Sequence, residues 1–157
     1  MNIKKTIWTD ADFRKMSWHD CKIYAISFDD GKFELTFDID YIFEAVNPKE
    51  GESYYSFWVS PATLIFKNVY NLTMNVSSIE LEIADITRDT PMFPKNIAHI
   101  GDVLEYNWHI DLVNGEISFN SVGYSQVIRQ SPKLLDRQSI GVVERGGISF
   151  DRGGGDL

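Results

Sequence analysis

A chain of 157 residues, 43% hydrophobic and 13% aromatic, is too apolar for a disordered polymer and long enough to bury a core as one domain. Its net charge of -8 has the wrong sign for a surface that neutralises phosphates, which excludes nucleic acid as a direct ligand. The single cysteine, Cys21, excludes an internal disulfide framework, and no stretch has the apolar length of a secretory signal or a membrane span, so a cytoplasmic protein with no membrane partner is expected.

The opening TDADFRKM offers Thr9 or Asp10 as a cap and places Phe13 and Met16 at helical spacing, which predicts one short N-terminal helix. After it the chain reads as strand. KIYAISFD and KFELTFDIDYI flank Asp30-Gly31, a pair that readily takes the positive φ of a two-residue hairpin turn. That turn sets Asp29 opposite Lys32, Phe28 opposite Phe33, Ile26 opposite Leu35 and Tyr24 opposite Phe37. The run YYSFWVSPATLIFKNVYNLTMNVSSIELEI supplies further apolar segments, with Leu72, Met74 and Val76 alternating against Thr73 and Asn75. ITRDTPMFPKN, with Pro91 and Pro94, predicts the longest irregular loop. NWHIDLV and EISFNSV flank Asn114-Gly115, so that Leu112 faces Ile117 and Ile110 faces Phe119. Pro132 marks a strand end, Gly146-Gly147 a final short hairpin, and Gly153, Gly154 and Gly155 a frayed tail over 153–157.

So many strands beside one helix predict a mainly β fold, an antiparallel sandwich or barrel, in a single domain over 1–152. Strand parity then assigns faces. Phe33, Leu35, Phe37, Ile39 and Tyr41 share one face and form an apolar row, so Glu34, Asp38 and Asp40 are expected on the other, in water. Residues 1–90 hold nine Lys/Arg against fifteen Asp/Glu, and residues 91–157 hold six against eight, so most of the acid lies in the first half. Carboxylates in a row repel one another, and a cationic surface would relieve them. Glu34, Asp38 and Asp40 are therefore the candidate partner-binding residues, and a basic protein the expected partner.

Two stretches, SWHDC and NWHID, each set a tryptophan beside a histidine with an aspartate close by. Parity in the second points Trp108, Ile110 and Leu112 inward and His109 and Asp111 outward. His19, His109 and Asp111 are thus candidate metal ligands, and with Asp38 and Asp40 they could build a metal-dependent hydrolase. Nothing in the spacing brings the two hairpins together, however, and the competing expectation is that His109 pairs with Asn120 across the strand and His19 with Asp20. No metal or other cofactor is expected. Cys21, two residues after His19, could be an activated thiolate, but a lone cysteine in an apolar strand is expected to be a small buried hydrophobe. Asp38 and Asp40 as an acid/base pair would lie side by side on one strand, whereas glycosidic cleavage needs carboxylates on opposite sides of the bond. Tyr54, Tyr55 and Trp58 are the candidates for a small-ligand cavity mouth.

SWHDC, FDIDYI, FWVSPATLIFKNVYNL and VVERGGISF together resemble small, acidic, β-rich bacterial domains found among immunity proteins of polymorphic toxin systems. The resemblance covers residues 17–75 and 144–150 and contains no catalytic motif. It implies a binding role rather than an enzyme, and a toxin as the basic partner, and it carries over no functional residues. The expected function is a protein-binding module, with a ligand-binding sandwich or barrel and a metal-dependent hydrolase as alternatives.

Overall fold

The computed structural model of the chain describes residues 1–96, 98, 101 and 103–153. Of the glycine-rich tail, only Gly153 is among them; the fraying expected beyond it lies outside the described residues. Among the described residues ten antiparallel strands form one continuous sheet: β1 (Ile7–Thr9), β2 (Lys22–Asp29), β3 (Glu34–Val46), β4 (Ser56–Lys67), β5 (Tyr70–Val76), β6 (Leu81–Arg88), β7 (Tyr106–Leu112), β8 (Gly115–Ser121), β9 (Gly123–Ile128) and β10 (Lys133–Leu135). The order is β1-β9-β4-β3-β2-β6-β7-β8-β5, with β10 paired to β4. The sheet does not close, so of the two expected architectures the barrel is excluded and the sandwich-like one stands.

The hinge of the sandwich is the junction of β2 with β6, which rests on two paired positions, Lys22 with Glu82 and Ile23 with Leu81. Beyond it β6, β7, β8 and β5 fold back over the rest. Phe66 of β4 meets Phe119 of β8 at 4.7 Å and Trp108 of β7 at 5.1 Å between ring centroids, so the apolar faces of the two layers interlock. The expected helix is a 3₁₀ helix, Asp10–Lys15, and its Asp12 carboxylate accepts from the Thr9 N–H at 3.0 Å. Phe13 on this helix stacks edge-on to Trp108 at 5.3 Å, and the Arg88 guanidinium sits 4.5 Å from the Phe13 ring and 4.2 Å from that of Tyr106.

Both predicted hairpins exist, each with its register moved by two residues. In the first, Asp29 faces Glu34 and Phe28 faces Leu35, because the connection is a four-residue turn, 30–33. The Asp29 carboxylate accepts from the Lys32 N–H at 3.1 Å, and Phe33 takes the positive φ of 54°. In the second, the turn is Val113-Asn114 and Gly115 already belongs to β8, so Ile110 faces Ile117 and Trp108 faces Phe119. A shift of two preserves alternation, so the expected inward residues of β3, β7 and β8 form the core, with two corrections. Phe33 lies in the turn and is 59% exposed, and a bulge at Tyr24 turns that side chain to the outer face of β2, where its hydroxyl meets Asp40 instead of facing Phe37. Leu35, Phe37, Ile39, Trp108, Ile110 and Leu112 are all buried.

The expected hairpin at Gly146-Gly147 is not one. The Gly147 N–H does donate to the Val142 carbonyl at 2.7 Å, and both glycines have φ near 90° (86° and 92°), but no strands flank the turn. Instead residues 136–152 run as an irregular strap across the outer face of β3 and β4. Its own Ile140 and Arg145 side chains are buried against the sheet, and the Thr63 hydroxyl donates to the Asp151 carbonyl at 2.6 Å.

Candidate functional site

The acidic row expected on an exposed face of β3 is not exposed. Asp38 and Asp40 are fully buried, and the reason is the strap, which covers the face that parity assigns to them. Arg145 reaches down from it and contacts Asp38 through Nη1 at 2.8 Å and Nη2 at 2.7 Å, and Asp40 through Nε at 3.0 Å. Arg129 adds a second guanidinium to Asp38 at 2.7 Å. Two carboxylates and two guanidiniums make a neutral set, and backbone N–H groups of Ile140 and Ser149 complete it at 2.7 and 2.9 Å. The Tyr24 hydroxyl donates to Asp40 at 2.7 Å; burial first and then this carboxylate push its pKa up to about 12. Arg145, which burial alone would lower, is held above its ordinary value by Asp38 and Asp40. Glu34, at the edge of the same face, pairs with Arg152 at 2.8 Å. None of these carboxylates stands as an unpaired charge in water, and side by side on one strand, locked to arginines, they have no room for a substrate between them.

The tryptophans of the two stretches pack against the same rings, Phe13 and Tyr124, but the two histidines do not converge. His19 is exposed and pairs with Asp20 through Nδ1 at 3.0 Å, as one expectation had it. His109 pairs with Asp89 through Nε2 at 3.3 Å and not with Asn120, because the two-residue shift sets Ser118 opposite His109 and Asn120 opposite Asn107, whose Nδ2 donates to the Asn120 Oδ1 at 2.7 Å. Asp111 is exposed. Among the described residues no three His, Cys, Asp or Glu side chains gather around a point where a metal could sit.

Cys21 is fully buried, and its sulfur faces the Ile42 N–H at 3.5 Å. Burial pushes the thiol up to about 12, with the nearby Asp40, Asp20 and Glu82 charges acting in the same direction. That is the opposite of an activated nucleophile. Tyr54 and Tyr55 are 80% and 52% exposed in the loop before β4, while Trp58 is half-buried in β4 opposite Leu134 of β10. The three aromatics are divided between a loop and a strand. An open groove of about 460 Å³ at the β2–β6 corner is lined by Asp20, Lys22, Glu82 and Gln138 among others, and it holds no cysteine, serine–histidine pair or convergent donor set.

The acidic row that does face water lies in the other layer. Asp85 of β6 is directly opposite Asp111 of β7, and Asp111 is directly opposite Glu116 of β8. All three are exposed. The row continues to Asn75 on β5. Side chains so placed lie about 5 Å apart at Cβ, and like charges there repel. Among the described residues no lysine or arginine forms an ion pair with any of the three. The signal for this row was in the sequence only through the register: a bulge between Ile83 and Asp85 and the two-residue shift at Val113-Asn114 align the three carboxylates. Arg145 was legible only as part of ERGG, a surface turn by composition.

The chain matches no family model, no curated protein and no solved structure. No helix among the described residues is long and apolar enough to cross a membrane.

Proposed function

We propose that this protein is a protein-binding module that holds a basic partner, as an immunity-type inhibitor holds its toxin. The observation that carries this reading is the cross-strand row Asp85–Asp111–Glu116, three exposed carboxylates with no cationic neighbour in ion-pair contact among the described residues. Apart from the Ile86 N–H, which donates to the Asp85 carboxylate at 2.9 Å, the row offers the fold no attraction, since adjacent like charges oppose the pairing of the strands that carry them. A lysine- or arginine-rich surface laid across it would remove that repulsion, speed encounter and select against acidic proteins. The row takes over the role that the sequence assigned to Asp38 and Asp40, which Arg145 and Arg129 already neutralise. The buried, proton-retaining Cys21 and the scattered histidines favour binding over covalent chemistry.

The test is capture of the partner from the native host with the tagged protein and with its Asp85→Asn/Asp111→Asn/Glu116→Gln variant. The wild type should capture a basic protein, the variant should capture it at least about tenfold less well at low salt, and the difference should shrink as ionic strength rises. Co-expression of the wild type should suppress the captured protein's toxicity. Equal capture by the two forms, or an acidic partner, would overturn the reading.

A further inference from the structure

β5 ends the sheet with one edge unpaired. Its ladder to β8 runs in register from Thr73 to Val76, while among the described residues no strand pairs with its other side. Alternate N–H and C=O groups along that stretch therefore point away from the sheet with no strand partner among the described residues. Natural edge strands are usually protected by charge, proline or a covering loop. Leu72-Thr73-Met74-Asn75-Val76 has neither charge nor proline, and its irregularity is confined to the start, where a bulge follows Tyr70 and Asn71 takes a φ of 53°.

The two faces of this edge differ in chemistry. Met74 is opposite Ile117 and so lies on the core side, as do its alternates Leu72 and Val76. The opposite layer does not fully cover them: they remain 36–40% exposed. Leu72 also lines an apolar groove with Phe28, Phe33 and Val69 at the tip of the β2–β3 hairpin. On the outer side Asn75 continues the row of Glu116, Asp111 and Asp85. A strand laid along β5 would thus set every second side chain against apolar surface and the others beside Thr73 and Asn75, with Glu116 the next residue inward on β8.

We propose that β5 is a strand-addition site for an extended segment of a basic protein, one that alternates apolar residues with lysine or arginine. Main-chain hydrogen bonds to the free edge supply affinity, and the alternation supplies selectivity. Apolar side chains of the added strand pack beside Leu72, Met74 and Val76, and its cations lie on the outer face within reach of Glu116. The charge favours such a segment over a second copy of this chain, whose own β5 brings no cation to the row. This inference rests on the basic-partner reading and adds to it a place and a backbone conformation.

The experiment uses the full chain, isotope-labelled, and two capped synthetic peptides of the same composition. One alternates lysine and valine; the other groups its lysines in one block and its valines in another. With the alternating peptide at about ten times its Kd, hydrogen exchange of the outward-facing amides between Thr73 and Val76 should slow about tenfold by mass action. Methylating alternate backbone nitrogens of that peptide, or introducing Met74→Lys in the protein, should abolish the protection. If both peptides perturb Asp85, Asp111 and Glu116 equally and neither protects β5, strand addition is wrong while the acidic-face reading survives. If neither peptide perturbs either region, both fall. Protection of β5 that grows with protein concentration in the absence of peptide would assign the edge to a second copy and overturn the proposal.

Discussion

Arg145 has five N–H donors and all five are used, on Asp38 twice, Asp40, and the carbonyls of Ile39 and Gly147. Its guanidinium also lies 4.0 Å from the Tyr24 ring. Removing one partner from such a set leaves a buried charge without its counter-ion, which costs far more than the set as a whole contributes. Arg145→Met should therefore lower stability by about 3–5 kcal/mol in urea titrations, as should Asp38→Asn/Asp40→Asn. An unchanged urea midpoint in either would mean that water or rearrangement compensates for the lost ion pairs. Cys21 gives a second residue-level test. Its thiol, pushed from an ordinary 9.0 up to about 12, keeps its proton in the native state over a range where the unfolded chain has lost it. Stability linked to Cys21 is thus fully present below pH 9 and falls as pH rises towards 12. The wild type should lose stability relative to Cys21→Ala across that window, and a disulfide reagent should label the native thiol slowly but the urea-unfolded thiol at once. A parallel pH dependence in the two proteins would show that the thiol is accessible.

At the scale of elements, what the sequence made legible was the inward face of β3, β7 and β8, and what it hid was decided by contacts distant in the chain. Parity found the core because alternation survives a register error of two. The same logic failed for Asp38 and Asp40, since alternation says only that they oppose the core, and whether that face meets water depends on Arg129, 91 residues after Asp38, and on a strap whose Arg145 lies 107 residues after it. Gly115 shows the other kind of hidden constraint. The hairpin reading took it as a turn residue, whereas a Cβ at Gly115 would lie 2.1 Å from the Asn75 carbonyl oxygen and 2.8 Å from the Val76 Cα. Its role is to let β5 close on β8, and its φ of 156° serves the same approach. Gly115→Ala should cost about 1–3 kcal/mol and release β5 in particular. Amide exchange would check this: Thr73–Val76 should become unprotected while β3 and β4 keep their protection. Uniform loss across the sheet would mean that β5 cannot detach alone.

For the molecule as a whole, the two layers handle negative charge in opposite ways. In the layer of β2, β3 and β4 the central carboxylates are neutralised inside the fold by Arg129 and Arg145. In the layer of β6, β7 and β8 they are left facing water as Asp85, Asp111 and Glu116, on a chain whose net charge is already -8. Repulsion among exposed charges is screened within about 10 Å at 0.1 M salt, so the cost of the row is largest at low ionic strength. Thermal stability of the wild type should therefore rise as salt is added from about 0.01 to 0.15 M, over which the screening length falls from roughly 30 to 8 Å. Asp85→Asn/Asp111→Asn/Glu116→Gln should be the more stable protein at the low end, by about 0.5–1 kcal/mol for the relieved cross-strand contacts, and its stability should respond less to salt. A comparison of melting curves at the two salt concentrations settles the matter without knowledge of any partner. If the variant is instead less stable at low salt, the three carboxylates hold the strands together through contacts of their own, and a surface kept for a cationic partner would have to be sought elsewhere on the molecule.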